Sequence, residues 1–291
     1  MSSKTRTAIV TGSNKGIGFH IALQLAKSNL FSNIILACRD EKRGLEAQEF
    51  IQNELLSSSS SSYCNVSYEP LIIGNESSHD QFTTIIQQKY NNKVDVLINN
   101  AAIAYKEADP TPFQQQCKPT LDINFYGTVD FTEKMIPFLR NGEDARIVNV
   151  ASMAGRLGQI KNLDLRNKFM DDNLSKEQLL ALVNEFQNDV LSGTHIQKGW
   201  GKSNYGMSKL ALIAMTKIWA REETNINTND SKFVKVNCCC PGYCDTDMTS
   251  HKGTRPPSEG AKNAVLPATM DVSICPTGEI FANYEVSNWN W

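Results

Sequence analysis

Residues 7–18 read TAIVTGSNKGIG, and this stretch decides the fold of the chain. Residues 7–10 form an apolar run with the length of a buried strand, and a helical pattern follows from about residue 16 to residue 28. Glycines occupy the turn between them, so the backbone can approach a phosphate group without Cβ atoms in the way. The start of the helix adds free N–H groups and a partial positive charge. The stretch therefore predicts a strand–turn–helix unit that can hold a phosphate.

The spacing of Gly12, Gly16 and Gly18 is G-x-x-x-G-x-G, whereas the usual dinucleotide fingerprint is G-x-G-x-x-G. A glycine-rich turn between a strand and a helix can also serve packing alone. Taken by themselves, the glycines are compatible with a dinucleotide site and with a packing turn.

The rest of the chain repeats this alternation of short apolar strands and helix-length segments. Strands are expected at residues 34–37, 68–73, 94–98, 147–150 and 234–239, and helices at residues 43–56, 82–90 and 121–140. Strands separated by helices form βαβ units, whose crossovers are almost always right-handed. The predicted fold class is α/β: a single doubly wound parallel sheet of the Rossmann type with helices on both faces.

One segment interrupts this alternation, because residues 153–204 contain no strand pattern. Ser175 and Gln178 fit a capping box, and an apolar stripe at helical spacing begins at Leu179. We therefore expect a helical insertion at residues 157–200 within one domain that spans residues 1–291. The serines of residues 57–62 are expected to form a flexible loop.

Composition excludes several classes of protein. Lys and Arg number 29 against 31 for Asp and Glu, so the 291-residue chain lacks the basic surplus of a nucleic-acid-binding protein. An apolar run of about 18 residues is missing, so no membrane span is expected. The eight cysteines include three adjacent ones, which argues against a secreted disulfide framework and for a cytoplasmic protein. The four histidines are scattered along the chain, and no metal site is expected.

The end of the second predicted strand indicates which dinucleotide is preferred. Arg39 stands where an acidic residue would bind the ribose of NAD, and Lys15 lies inside the glycine turn. Two cations around one phosphate dianion favour NADPH. Asp40 could bind a ribose hydroxyl instead, but it is better placed to cap the next helix.

A tyrosine and a lysine lie four residues apart in a helical pattern, at Tyr205 and Lys209, so both side chains share one helix face. A neighbouring ammonium stabilises a phenolate and lowers the tyrosine pKa, which is ordinarily about 10. Such a pair is common on solvated helices. Other polar groups, however, follow the predicted strands and should meet at the carboxyl edge of the sheet: Asn99, Ser152, and Pro241–Gly242 with Thr246 after them.

Six motifs together resemble the short-chain dehydrogenase/reductase family over nearly the whole chain. They are TGSNKGIG, NNAA, INFYG, VNVAS, YGMSK and CPGYCDTDM, in the order and spacing of that family. The Asn-Lys pair in the glycine turn and the long insertion are most similar to the monomeric NADPH-dependent carbonyl reductases, including plant ketone reductases.

The resemblance implies a role for each matching residue. Tyr205 would donate a proton to the substrate carbonyl, Lys209 would lower its pKa, and Ser152 would hold the carbonyl oxygen. Asn124 would support a proton relay, and Tyr243 would contact the substrate with Ser152 and Tyr205. NADPH or NADP⁺ would contact Gly12, Asn14, Lys15, Gly16, Ile17, Gly18, Arg39, Asn99, Ala101, Tyr205, Lys209, Pro241, Gly242 and Thr246.

The chain departs from the family pattern at Ala102, where glycine is frequent, and at Ile72, where an Asp usually contacts adenine. The expected function is NADPH-dependent reduction of aldehydes, ketones or quinones by a monomer, with a small-molecule carbonyl substrate as its partner. Two alternatives remain: a specific alcohol dehydrogenase or ketone reductase of secondary metabolism, and a non-catalytic NADP(H)-binding regulator.

Overall fold

One sheet of eight strands forms the centre of the computed structural model, which describes residues 6–57, 64–226 and 233–287. The strand order is β3-β2-β1-β4-β5-β6-β7-β8, and every pair is parallel except β7 with β8. The strands are β1 Thr7–Thr11, β2 Asn33–Cys38, β3 Asn65–Pro70, β4 Val96–Asn99, β5 Arg146–Val150, β6 Lys235–Cys239, β7 Ile280–Ala282 and β8 Glu285–Val286. The predicted doubly wound α/β sheet is therefore confirmed, with one antiparallel strand added at its edge.

Helices cover both faces of this sheet. In the described ranges they are α1 Gly16–Lys27, α2 Glu41–Ser57, α3 Glu76–Lys89, α4 Phe113–Leu121, α5 Thr128–Arg140, α6 Leu163–Met170, α7 Lys176–Leu191, α8 Asn204–Ile226 and α9 Pro257–Thr269. Successive residues of a strand point to opposite faces, so Ile9 and Leu97 lie in one apolar cluster while Val10 and Ile98 lie in the other. Both faces are buried, which is why these strands are apolar throughout.

Three boundaries differ from the sequence prediction. β3 begins at Asn65 and ends at Pro70, and the last backbone hydrogen bond to β2 runs from Leu71 N to Cys38 O at 3.1 Å, so Ile72 lies beyond the strand. α3 begins at Glu76, where the Asn75 side chain accepts a hydrogen bond from Ser78 N. The helix expected at residues 121–140 begins at residue 113 and contains a π-helical turn over residues 122–127. The sequence analysis also missed α9, β7 and β8.

Two helices, α6 and α7, occupy the segment before Tyr205. The capping box of Ser175 and Gln178 is present at the start of α7, and α7 packs against α4 and α8. At its other end the buried Asp189 carboxylate accepts hydrogen bonds from Lys198 Nζ at 2.5 Å and Trp200 Nε1 at 2.8 Å. These contacts hold in place the segment that connects α7 to α8. Most of the serine segment lies outside the described residues. Among the described helices, none has both the length and the apolar composition to cross a membrane.

Candidate active site

Ser152, one of the polar residues predicted at the carboxyl edge of the sheet, lies near the start of α8. It follows β5, and its side chain is close enough to Tyr205, in the first turn of α8, to act on the pKa of that tyrosine. Lys209 Nζ lies 5.6 Å from the centre of the Tyr205 ring and donates to Val150 O at 2.7 Å. A helical spacing of four thus places both side chains over the end of β5, as the sequence indicated.

Burial dominates the acid–base properties of this pair. It raises the pKa of Tyr205 to about 12, and a side-chain interaction with Ser152 works in the opposite direction. Burial also lowers the pKa of Lys209 to about 8. The Lys209 ammonium donates to a backbone carbonyl and is not among the groups that shift the pKa of Tyr205 in the protein alone. The lowering of the tyrosine pKa by Lys209 therefore stays a prediction.

Asn124 lies in the π-helical turn between α4 and α5, and its side chain is buried. Its amide exchanges two hydrogen bonds with the backbone of Ile103, both 2.8 Å long, and donates to Ser208 Oγ at 3.1 Å. Ser208 in turn donates to Tyr205 O at 2.8 Å. Asn124 is thus tied to the helix that carries the Tyr205–Lys209 pair. Ser208 was missed by the sequence analysis, although it directly precedes Lys209 in the YGMSK motif.

The glycine turn has the backbone geometry of a phosphate cradle. Gly12 and Gly16 have φ angles of 65° and 57°, in the left-handed region. A Cβ atom on Gly18 would lie 2.4 Å from Gly12 O, so only glycine fits there. The first turn of α1, residues 16–18, contains no acidic side chain that would compete with a phosphate for its N–H groups. The turn therefore fits the dinucleotide predicted from its sequence.

The strand end after β4 supports this cradle. Ala101 N donates to Thr11 Oγ1 at 2.9 Å, and Asn100 Nδ2 donates to Thr11 O at 2.9 Å. Asn99 points the other way, and its amide donates into the core to Thr132 and Asn149 at 2.8 Å each. A contact between Asn99 and a cofactor could therefore come only from its backbone. The sequence analysis missed Thr11 and Asn100.

Of the two cations expected around a phosphate, Lys15 lines a cleft with a volume of about 390 Å³, and Arg39 is not among the residues that line it. Arg39 follows β2 and is exposed, while Asp40 caps α2 by accepting from Arg43 N at 3.0 Å, as favoured from the sequence. Arg43 is a further cation that the sequence analysis missed. The cleft, hereafter the cation cleft, is lined by Asn14, Lys15, Phe19, Arg43, Glu46, Ala47, Phe50 and Asp247.

The loop after β6 borders the site on its opposite side. Cys240 Sγ accepts hydrogen bonds from Met153 N at 3.3 Å and Gly242 N at 3.4 Å, which joins this loop to the end of β5. Tyr243 is 54% exposed, and Thr246 packs over Gly16, where a Cβ would lie 3.6 Å from the threonine Cγ2. Of the predicted residues of this loop, Thr246 therefore lies against the glycine turn.

Known proteins are similar to this chain. A family model described as short chain dehydrogenase matches residues 6–163 and 189–256, and the gap lies within the helical segment before Tyr205. Carbonyl reductase (NADPH) 1 of Mus musculus is 36% identical over 99% of this chain and all of its own length, and that of Homo sapiens is 35% identical over the same shares.

Two solved plant structures are also similar to this chain. Salutaridine reductase from Papaver somniferum superposes with a TM-score of 0.82 at 28% identity, over 95% of this chain and 99% of its own. Menthone neomenthol reductase from Mentha piperita superposes with a TM-score of 0.78 at 28% identity, over 96% of this chain and 99% of its own.

Proposed function

This chain belongs to the short-chain dehydrogenase family and is an NADPH-dependent oxidoreductase, and from that premise we propose that it reduces aldehydes, ketones or quinones to alcohols. One observation carries the proposal. The side chains of Tyr205 and Ser152 lie near each other beside the buried ammonium of Lys209. Two hydroxyls that converge on one point can both reach a single carbonyl oxygen.

NADPH, when bound, supplies the hydride that adds to the carbonyl carbon. Tyr205 donates its proton to the carbonyl oxygen as negative charge develops there, and Ser152 donates a hydrogen bond to the same atom. A pKa of about 12 keeps Tyr205 protonated at neutral pH, so the proton is present on the phenol before transfer. The charge on the oxygen is thus neutralised at a fixed position in a partly buried site.

Lys209 and Asn124 would return a proton to Tyr205. The ammonium of Lys209 has three hydrogens, and Val150 O takes one of them, so the others are available to ribose hydroxyls. Asn124 is held by Ile103 and Ser208 beside this helix and would support a water-linked path. Lys15 and Arg39 would bind the phosphate that distinguishes NADPH from NADH. Asn14, Ile17, Ala101, Pro241, Gly242 and Thr246 would border the rest of the cofactor.

A second candidate is a dedicated ketone reductase or alcohol dehydrogenase of secondary metabolism. The two plant structures with TM-scores of 0.82 and 0.78 are named for reductases of an alkaloid and of a terpenoid ketone. Exposed apolar side chains at the mouth of the site, Met153 and Tyr243, would suit such a bulky substrate.

Turnover tests these proposals. We expect purified protein to oxidise NADPH with at least one compound from a panel of quinones, aromatic aldehydes, and alkaloid and terpenoid ketones. Activity confined to one ketone would favour the dedicated reductase, and no turnover at all would favour the non-catalytic regulator. Tyr205→Phe should lower turnover by about 10²–10⁴ while NADPH binding is retained. Unchanged turnover would refute the role of Tyr205.

We also infer that the protein acts as a monomer, because α7 packs against α4 and α8 and so covers the faces of these helices that another chain would otherwise contact. Sedimentation or light scattering should give the mass of one chain. A tetrameric mass would contradict this inference.

A further inference from the structure

Lys15, the cation of the glycine turn, is paired with a carboxylate. Its Nζ lies 2.5 Å from Asp247 Oδ2, and the two side chains are 53% and 56% exposed. Asp247 begins a short 3₁₀ turn directly after Thr246, the residue that packs over Gly16. The loop after β6 thus reaches across the glycine turn and places a negative charge on the cation expected to bind the cofactor phosphate.

The carboxylate belongs to a small charged cluster. His251 Nε2 lies 3.0 Å from Asp247 Oδ1, and His251 Nδ1 lies 2.7 Å from Asp245 Oδ1. Asp245 contacts His251 and makes no hydrogen bond to Lys15 among the described residues. Asp247 is therefore the member of the cluster that lines the cation cleft, as Arg43 also does.

Stability does not account for this pair. Ion pairs between exposed side chains contribute little to folding because water already solvates both charges. For ligand binding the same pair has a larger effect. A phosphate monoester carries a charge of nearly −2 at neutral pH, so it must share or displace the lysine that Asp247 holds, and it is repelled by the carboxylate at short range.

We propose that Asp247 is a specificity-determining residue that competes with the cofactor phosphate for Lys15 and so reduces the preference for NADPH over NADH. The inference rests on the proposed function, because it assumes that Lys15 meets that phosphate. A ligand that displaces a partner binds less tightly and dissociates faster. Asp247 therefore also speeds the release of NADP⁺.

Cofactor binding to the full chain tests the proposal. Dissociation constants for NADPH, NADP⁺ and NADH are measured by calorimetry on the native protein, Asp247→Asn and the matched control Asp245→Asn. Asp247→Asn should bind NADPH and NADP⁺ about three- to tenfold more tightly, with NADH changed by less than about twofold. Asp245→Asn removes the same charge from the same loop without a contact to Lys15, and should change each constant by less than about twofold.

Two further variants separate competition from a general charge effect. Asp247→Glu keeps the charge and should keep nearly native constants. In a Lys15→Met background, Asp247→Asn should gain less NADPH affinity than in the native background, because the contested cation is gone.

Weaker or unchanged NADPH binding by Asp247→Asn would overturn the inference, since Asp247 would then orient Lys15 or have no part in binding. If the native protein binds NADPH but the variant does not differ, only this inference fails. If the native protein binds no nicotinamide dinucleotide, the proposed function fails with it.

Discussion

The two ends of the site are built differently. At the catalytic end Ser208, Lys209 and Asn124 are buried, and each hydrogen-bonds to backbone atoms of the core elements. At the phosphate end Lys15 and Asp247 are more than half exposed and pair with each other through their side chains. The hydrogen bonds at the catalytic end hold these side chains in fixed positions, as proton transfer requires. The phosphate end can exchange one ionic partner for another, as the binding and release of a charged cofactor require.

The largest expected effect is at the catalytic end. Ser152→Ala removes the hydroxyl that meets Tyr205 and should lower kcat by about 10²–10³, because the developing oxyanion loses a fixed donor. Steady-state kinetics on the best substrate of the panel measures this loss. A fall in kcat of less than about tenfold would mean that the catalytic end does not hold its side chains more strictly than the phosphate end does.

The two lysines should affect stability differently. Lys209→Met removes a buried ammonium, and we expect the free energy of unfolding to rise by about 2 kcal/mol although activity is lost. Lys15→Met removes an exposed charge and should change it by less than about 0.5 kcal/mol. Urea denaturation of both variants gives the comparison. A destabilised Lys209→Met would show that the hydrogen bond to Val150 outweighs the cost of burying the charge.

The same lysine predicts a pH dependence. Its folded pKa of about 8 lies below its unfolded value, so between about pH 8 and pH 10 the unfolded chain binds more protons. The cost of the buried charge is therefore complete below pH 8 and is relieved as the pH rises. The stability advantage of Lys209→Met should shrink from pH 7 to pH 9.5, as measured by denaturation at each pH. An advantage that stayed constant would exclude Lys209 as its source.

A smaller effect is expected from Arg43 in the cation cleft. Arg43→Gln should weaken NADPH binding by about five- to tenfold, and this loss is modest because the Arg43 side chain is exposed and salt screens its charge. NADH binding should remain nearly unchanged, because NADH lacks the phosphate that Arg43 would contact. Fluorescence titration measures both constants. An equal loss for both cofactors would show that Arg43 stabilises the α2 turn rather than the phosphate.

Much of this molecule could be predicted from its sequence, because the deciding signals are local. The glycine spacing, the strand ends and the four-residue spacing of Tyr205 and Lys209 could be interpreted from the sequence, because regular backbone geometry determines what they imply for the structure. The direction of the Asn99 side chain does not, since it depends on partners contributed by α5 and β5. The effect of burial on the pKa of Tyr205 does not follow from local sequence either, because burial depends on the whole fold.

The least predictable contact joins Lys15 to Asp247, 232 residues further along the chain. Lys15 stands out in the sequence as the cation of the glycine turn, whereas Asp247 looks like an ordinary loop aspartate. Only the path of the chain after β6 brings them together. Contacts of this kind depend on loop conformation, which local patterns do not determine.

The strands at the two margins of the sheet bear on how the protein behaves at high concentration. β8 is only two residues long and exposed, and β3 ends in Pro70 and carries the charged Glu69, which pairs with Lys89. Edge strands that are short, charged or contain proline are poor templates for pairing with a strand of another chain. The protein should therefore resist aggregation through its strands, and concentrated solutions should remain clear during crystallisation trials.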